Sequence, residues 1–390
     1  MIPYGRQDIS EADINAVIDV LKSDFLTQGP VVPAFEKAVT DYCSVKYAYA
    51  VNSATSALHI SCLAIGVGKG DLVWTSPISF VASSNCALYC GASVDFVDID
   101  PVTYNMSIAV LKDKLELAER TGKLPKVVIP VHLTGQSCEM KAIYELSIKY
   151  GFKIIEDASH AIGGKYLGEA IGNCKYSDIT VFSFHPVKII TTGEGGMCVT
   201  NNAELALHLN RLRSHGIVRH PSEMTQLPDG PWYYQQLELG FNYRMTEIQA
   251  ALGLSQMKRL NEFVESRHKI ADQYNQKLKE EWMTTPWQHP DTYSALHLYV
   301  IRIKEGNDVV GHLQMFEKLR SAGILVNLHY IPIYRQPYYQ EIGFNQSDFP
   351  NSESYYKEAI SIPMYSSLTV DQQNFCIERI NKPMGYQNLF

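Results

Sequence analysis

The sequence predicts an α/β fold: a mostly parallel central sheet with helices on both faces, followed by a smaller C-terminal α+β unit. Three observations predict it. From residue 47 onward, short β-branched runs alternate with stretches of helical apolar spacing. Strands separated by helices in this way build a parallel sheet covered on both sides. The alternation stops near residue 250, where a long helical stretch begins. The chain has 390 residues, 46% of them hydrophobic, enough for one large domain over 1–249 and a smaller one over 250–390.

The elements follow in order. Residues 10–23 read as an amphipathic helix with Ser10 as N-cap and Ile14, Val17, Ile18 and Leu21 on one face; it could pack with the small domain. A turn at Thr27-Gln28-Gly29-Pro30 leads to a helix from Pro33 to Cys43. Strands are expected at Tyr47–Val51, Leu72–Ser76, Ser93–Val97, Val127–His132, Lys153–Asp157, Ile179–Ser183 and Met197–Thr200. Helices are expected at Ser53–Ile65, Phe80–Tyr89, Met106–Glu119 and Lys141–Tyr150. A single helix over Thr246–Tyr274 is expected next. A strand at Ala295–Ile303, a helix at Gly311–Ala322 and a strand at Ile324–Leu328 complete the pattern. Gly66-Val67-Gly68-Lys69-Gly70 lacks the Walker spacing and precedes a strand, so it reads as a turn.

Composition excludes several classes. A formal net charge of -7 without a Lys/Arg run argues against nucleic-acid binding. The eight cysteines are scattered and form no CxxC, which suggests neither a zinc site nor a disulfide framework but reduced thiols in a cytoplasm. The acidic residues are dispersed and suggest no metal cluster. The N-terminus lacks a signal-peptide pattern, and no apolar run approaches the roughly 20 residues that span a bilayer, so a soluble, cytoplasmic protein with no membrane partner is expected.

Ligands of α/β sheets bind beyond the strand C-termini. Thr75–Phe80, His132, Asp157 and Ser183 fall there. Asp157 followed by Ser183 and Lys188 supplies a carboxylate, a hydroxyl and an amine, the three kinds of group that hold pyridoxal phosphate (PLP). The carboxylate would keep the pyridine nitrogen protonated. Alone, Asp157 would read as a helix N-cap. Lys188 would ordinarily be a solvated loop lysine. Its neighbours Phe182, Phe184, Val187, Ile189 and Ile190 make an apolar setting that would lower its pKa and free its amine as a nucleophile. Gly193-Glu194-Gly195-Gly196 then makes a tight turn into a strand.

Ser53-Ala54-Thr55-Ser56 opens a helix with hydroxyls and free N–H groups, a second phosphate platform or a plain N-cap. Phe80 could stack on the pyridine ring or pack in the core. His160 could meet the cofactor's phenolic oxygen or be a core histidine, and His185, beside the lysine, could touch substrate. For His132 the structural role is favoured.

Glu156-Asp157-Ala158-Ser159-His160-Ala161, Ser183-Phe184-His185-Pro186-Val187-Lys188, Thr192-Gly193-Glu194-Gly195-Gly196 and Gly240-Phe241-Asn242-Tyr243-Arg244-Met245 resemble the DegT/DnrJ/EryC1/StrS sugar aminotransferases, from Leu26 over nearly the whole chain. Arg213-Ser214-His215-Gly216-Ile217 and His329-Tyr330-Ile331-Pro332-Ile333-Tyr334 resemble most the branch that aminates a UDP-4-keto-6-deoxy-N-acetylhexosamine in pseudaminic acid synthesis.

The resemblance implies a fold-type-I PLP enzyme, a homodimer with shared active sites. It implies that Lys188 links the cofactor, Asp157 pairs its ring nitrogen, His160 sits near its ring hydroxyl and Phe80 stacks on it. Thr55, Ser56 and Ser183 would hold the phosphate, with Asn242 reaching it from the neighbouring subunit. Thr27, His329 and Tyr330 would line the substrate pocket, and Arg244 would approach the nucleotide phosphates. L-glutamate would be the amino donor in a ping-pong transamination in which Lys188 shuttles the proton.

Two departures stand out. Ala54-Thr55 replaces the glycine-threonine of many members, and His160 replaces a glutamine that also donates a hydrogen bond. Aminotransferases for other nucleotide-linked keto sugars remain open as alternatives. The dehydratase branch carries histidine in place of the linking lysine, so Lys188 speaks against it, and the intact trio of Asp157, Ser183 and Lys188 speaks against a non-catalytic scaffold.

Overall fold

The computed structural model describes residues 1–279, 281–304 and 310–382. Seven strands form the central sheet: β1 (Tyr47–Val51), β2 (Leu72–Thr75), β3 (Ser93–Phe96), β4 (Val127–Ile129), β5 (Lys153–Asp157), β6 (Ile179–Ser183) and β7 (Gly196–Thr200). Their spatial order is β1-β7-β6-β5-β4-β2-β3. All neighbours are parallel except β7, which runs antiparallel to both β1 and β6. Side chains alternate across a strand, so a sheet covered on both faces puts chain neighbours into different cores. Val73 and Val127 pack into one apolar cluster, and their successors Trp74 and Val128 into another. Val181 and Phe182 divide in the same way.

Local chemistry starts the helices where the sequence places them. Ser10 Oγ accepts the Asp13 N–H at 3.3 Å while the Asp13 carboxylate accepts the Ser10 N–H at 2.8 Å, a reciprocal capping box that opens Glu11–Leu21. Ser53 caps Ala54–Ala64 by accepting the Ser56 N–H at 3.1 Å. A helix over Ala203–Leu212, capped by Asn202, also forms where no element was expected.

The expected single helix over Thr246–Tyr274 is two helices, Glu247–Met257 and Leu260–Lys277. The backbone leaves the helical region at Arg259 (φ −107°, ψ 6°). Arg259 there reaches across to the N-terminal segment, donating to Asp8 Oδ1 at 3.0 Å and to Asp13 Oδ2 at 2.7 Å. Gln256 Nε2 also donates to Asp13 Oδ2, at 2.8 Å, which fixes Glu11–Leu21 against Glu247–Met257. No proline or glycine marks this break, so local pattern alone does not show it.

The C-terminal unit carries an antiparallel sheet of β8 (Met283–Thr284), β9 (Tyr299–Ile303) and β10 (Ala359–Ile362), in the order β8-β9-β10. Helices Val310–Ser321 and Val370–Asn381 cover it, Met315, Leu319, Ile377 and Ile380 packing on Ile301 and Ile360. The strand expected over Ala295–Ile303 begins only at Tyr299. Its first residues bond elsewhere: Ala295 N–H donates to Gly135 O at 3.0 Å and Leu298 N–H to Thr134 O at 3.2 Å. The strand expected over Ile324–Leu328 shortens to Ile324–Leu325, which pairs in parallel with Ile2–Pro3. Both shortened segments turn toward the C-terminal edge of the central sheet, where the cavity lies.

Candidate active site

A cavity of 540 Å³ opens where β5 and β6 end, within the range that small ligands occupy. Asp157, the last residue of β5, is 4% exposed. Its Oδ2 accepts Ser83 Oγ–H at 2.6 Å, and its Oδ1 accepts the Ser159 N–H at 3.1 Å and Ser159 Oγ–H at 2.6 Å. The preceding residue, Glu156, points to the opposite face. There it meets His132 Nε2 at 2.8 Å, Thr180 Oγ1 at 3.0 Å and the Ser177 hydroxyl. His132 Nδ1 accepts the Cys138 N–H at 3.1 Å, so both ring nitrogens are used inside the protein. That is the structural role favoured for His132 from sequence.

Lys188 lies in the loop from β6 to β7 and lines the cavity with Asp157, His160 and Ser183. Burial pulls its pKa down to about 8, against the pull of Asp157 in the other direction. The loop is closed by Gly195 and Gly196. A Cβ on Gly196 would fall 2.5 Å from Ala54 N and 2.6 Å from Ser53 O, so only glycine lets β7 press against the start of helix Ala54–Ala64. This close approach is to the backbone of the helix start itself.

Ser53, Ala54 and Thr55 line the cavity at that helix start, where the first N–H groups have no acceptor within the helix. Ser56 does not line it. Its hydroxyl donates to Asn52 Oδ1 at 2.7 Å and sits 3.0 Å from Ser53 Oγ, so it stabilises the cap.

Phe80 stands on the rim, 59% exposed, its ring 6.3 Å from that of Tyr330. His160 accepts the Thr134 N–H at Nδ1 (3.3 Å), and its Nε2 faces Tyr330 Oη at 3.0 Å. Burial, with Lys188 and His329 adding to it, holds His160 uncharged well below the ordinary histidine range. His329 Nδ1 pairs with Ser361 Oγ at 2.8 Å, and burial with nearby Lys188 lowers its pKa to about 3. His185 also lines the cavity.

Three expected site residues lie elsewhere within one chain. Arg244 donates to Ser214 Oγ at 3.0 Å and lines a separate recess of 250 Å³ with Gln28, Gly29 and Arg213. Thr27 is exposed beside Gln28, outside the main cavity. Asn242 bridges to Ser214, and its carbonyl accepts from Asn52 Nδ2 at 3.5 Å. Other lining residues went unmarked in the sequence: Tyr4, Ser83, Ser159, His297 and Asn327. Ser159 sits in the same run as Asp157 and His160, and Ser83 one helical turn beyond Phe80, so both carried a local signal. Tyr4, His297 and Asn327 arrive from distant parts of the chain and carried none.

A buried carboxylate, an amine of lowered pKa and the N-terminus of a helix converge in one cavity, and together they fit pyridoxal phosphate: Asp157 for the ring nitrogen, Lys188 for the aldehyde carbon, and Ser53, Thr55 and Ser183 for the phosphate. The fold and the cavity define a PLP-dependent transferase. The profile of the DegT/DnrJ/EryC1/StrS aminotransferase family matches residues 7–381, and the chain belongs to that family; it is a PLP-dependent sugar aminotransferase.

Among its relatives is a UDP-4-amino-4,6-dideoxy-N-acetyl-beta-L-altrosamine transaminase of Campylobacter jejuni subsp. jejuni serotype O:23/36. It is 36% identical over 383 residues, covering 96% of this chain and 95% of the relative. A GDP-perosamine synthase of Caulobacter vibrioides is 35% identical over 367 residues, covering 93% and 92%. The structure of Helicobacter pylori PseC, an aminotransferase involved in the biosynthesis of pseudoaminic acid, superposes with a TM-score of 0.88 at 31% identity, covering 97% of this chain and 98% of that one. The putative sugar aminotransferase Spr1654 from Streptococcus pneumoniae, in its PMP form, gives 0.89 at 28% identity and 98% coverage of both chains.

Proposed function

We propose that the protein transfers an amino group from L-glutamate to C4 of a UDP-4-keto-6-deoxy-N-acetylhexosamine, giving a UDP-4-amino-4,6-dideoxy sugar for pseudaminic acid synthesis. The observation that carries this reading is the near full-length similarity to the altrosamine transaminase of C. jejuni and to H. pylori PseC, together with the lysine-bearing cavity. When bound, PLP supplies an electron sink for the carbon that loses its proton.

The chain's own residues do the rest. Asp157, oriented by Ser83 and Ser159, pairs the ring nitrogen. Lys188 holds the cofactor between turnovers. With its Nζ partly uncharged near neutral pH, it accepts the proton from the donor's α-carbon and gives it up again, base then acid. His160, uncharged and accepting at Nδ1, carries its one N–H on Nε2, which faces Tyr330 Oη and would turn to the ring oxygen when the cofactor binds. Phe80 covers the ring, Thr55 and Ser183 hold the phosphate, and Ser56 supports them through the cap. His185, His329 and Tyr330 face the sugar.

Asn242, Arg244 and Thr27 act on the site of a neighbouring subunit in a homodimer. Two observations support that reading. Arg244 lines a recess away from the main cavity, together with Gln28, the neighbour of Thr27, and Ser214, which bridges to Asn242, and the nearby segment exposes Leu227 (90%), Trp232 (74%) and Leu239 (80%). Light scattering tests the dimer, and a monomer at micromolar concentration would refute it. No helix among the described residues is long and apolar enough to cross a membrane; a cytoplasmic location is part of the proposal.

The similarity to a GDP-perosamine synthase favours a second reading, amination of another nucleotide-linked keto sugar. The protein loaded with PLP is incubated with glutamate and a panel of UDP-, GDP- and dTDP-linked keto sugars, and each amino sugar is identified by NMR. The first reading expects the UDP-4-keto-6-deoxy-N-acetyl sugar to turn over fastest, with the new nitrogen on C4. Faster turnover of a GDP or dTDP sugar would establish the second.

A further inference from the structure

Tyr4 and Asn327 line the cavity with Lys188, and neither belongs to the groups that fit the cofactor. Asp157, His160 and the start of helix Ala54–Ala64 meet the ring nitrogen, the ring oxygen and the phosphate from the side of the central sheet. Tyr4 and Asn327 arrive from the other side, where the N-terminal segment pairs with the C-terminal unit.

The polar ends of both side chains are open. Tyr4 and Asn327 are half-buried, and neither Tyr4 Oη nor Asn327 Nδ2 is sealed from solvent. Asn327 Oδ1 accepts the Leu328 N–H at 2.9 Å, which leaves the NH2 end of the amide free. Burial raises the pKa of Tyr4, and the adjoining Asn327 side chain opposes the rise. Only a donor favours a phenolate, so the Asn327 NH2 group is the end that faces Tyr4 Oη. The phenol keeps its proton at neutral pH. One O–H and one amide N–H therefore remain to be given to a ligand.

Both residues are fixed in place. Ile2–Pro3 pairs in parallel with Ile324–Leu325, and the Met364 N–H donates to Tyr4 O at 2.9 Å. The Tyr4 ring packs 4.8 Å from that of His329. Asn327 exchanges backbone bonds with Ser361, at 3.1 Å and 2.7 Å. A Cβ on Gly5 would stand 3.6 Å from Val187 Cβ, so this segment passes beside the residue that precedes Lys188. Such anchoring suits a binding group.

The structure assigns Tyr4 and Asn327 to recognition of the acceptor: their O–H and N–H donors bind oxygens of the keto sugar, hydroxyl or amide carbonyl, close to the reacting carbon. The assignment rests on the reading of this cavity as the site where a nucleotide-linked keto sugar is aminated. The pair carries no formal charge. It therefore favours the neutral oxygens of a sugar over the carboxylates of glutamate, which a cation holds more strongly.

The test uses Tyr4→Phe, which keeps the ring and loses the hydroxyl, and Asn327→Leu, which keeps the shape and loses the amide. KM is measured at saturating glutamate for the keto sugar that the wild type turns over fastest. The half-reaction with glutamate alone is followed by the absorbance of the bound cofactor. Each variant should raise KM for the sugar about tenfold, while its glutamate half-reaction stays within about twofold of wild type. The assignment is overturned if Tyr4→Phe leaves KM within about twofold of wild type, or slows the glutamate half-reaction as much as it raises KM. Asn327→Leu also loses the bond to Leu328, so if it does not fold, Tyr4→Phe decides alone. Failure of the proposed sugar is read separately, on the wild type, as faster turnover of a different keto sugar.

Discussion

Asp157, Ser183 and Lys188 reach the cavity from the ends of β5 and β6, whereas His297, His329 and Tyr330 reach it from the C-terminal unit, and the two walls are held by different means. On the first wall, position follows from the sheet. Register fixes Asp157 opposite Val181 and Ser183 opposite Gly196, and short bonds from Ser83 and Ser159 orient the carboxylate. On the second wall, no long strand does this. Arg267 grips three carbonyls, Tyr355 Oη donates to His329 O at 2.7 Å, and Ser361 meets the His329 ring. One wall derives its precision from a ladder, the other from a few buried polar side chains that each hold backbone.

If the division is right, the walls should fail differently. The largest effect is expected on the first wall at Lys188→Ala, with amino-sugar formation falling on the order of 10²–10⁴-fold and no cofactor retained after borohydride. Trapped cofactor in that variant would move the link to another residue. Next comes the second wall's grip. Arg267→Met leaves three carbonyls unmatched and should cost roughly 3 kcal/mol or more in urea unfolding. An unchanged midpoint would show that the second wall is held by something else.

Ser83→Ala comes third. It removes a charge-assisted bond to Asp157, and a loss of roughly 10–100-fold in turnover at nearly unchanged stability would separate orientation from folding. The smallest effect is in pH. Lys188 reacts only when uncharged, and its pKa lies at about 8, so capture of PLP by the apo-protein should accelerate as pH rises and level off above about 8. At pH 7 the rate should be about a tenth of the plateau. A flat profile between pH 6.5 and 9 would contradict the desolvated amine.

The same division explains what was legible in the sequence. β5 and β6 fall where β-branched runs place them, and Asp157, Ser183 and Lys188 follow because a ligand site lies past the ends of such strands. Ser56 was assigned to the phosphate because a helix start attracts anions, but its hydroxyl is spent on Asn52. The break at Arg259 was invisible because its cause, Asp8 and Asp13, lies more than two hundred residues away. His297 was hidden for a related reason. Ala295–Leu298 reads as the front of a strand, and only bonds to Gly135 and Thr134 turn it into the cavity.

The antiparallel course of β7 has a further consequence. In a parallel sheet a catalytic loop usually leaves for a helix and returns at the opposite edge of the layer. Here the segment bearing Lys188 leaves β6 and comes straight back along its neighbour, pinned by the Ser183–Gly196 pair. It is a clasp fastened at both ends. The span is seated as well as tied: Phe184, Ile189 and Ile190 are buried in the apolar cluster beside the sheet, and the Thr192 N–H donates to Phe184 O at 3.0 Å. The Lys188 amine thus rides on a segment held at both ends and along its length, with little freedom to drift from its place in the cavity wall.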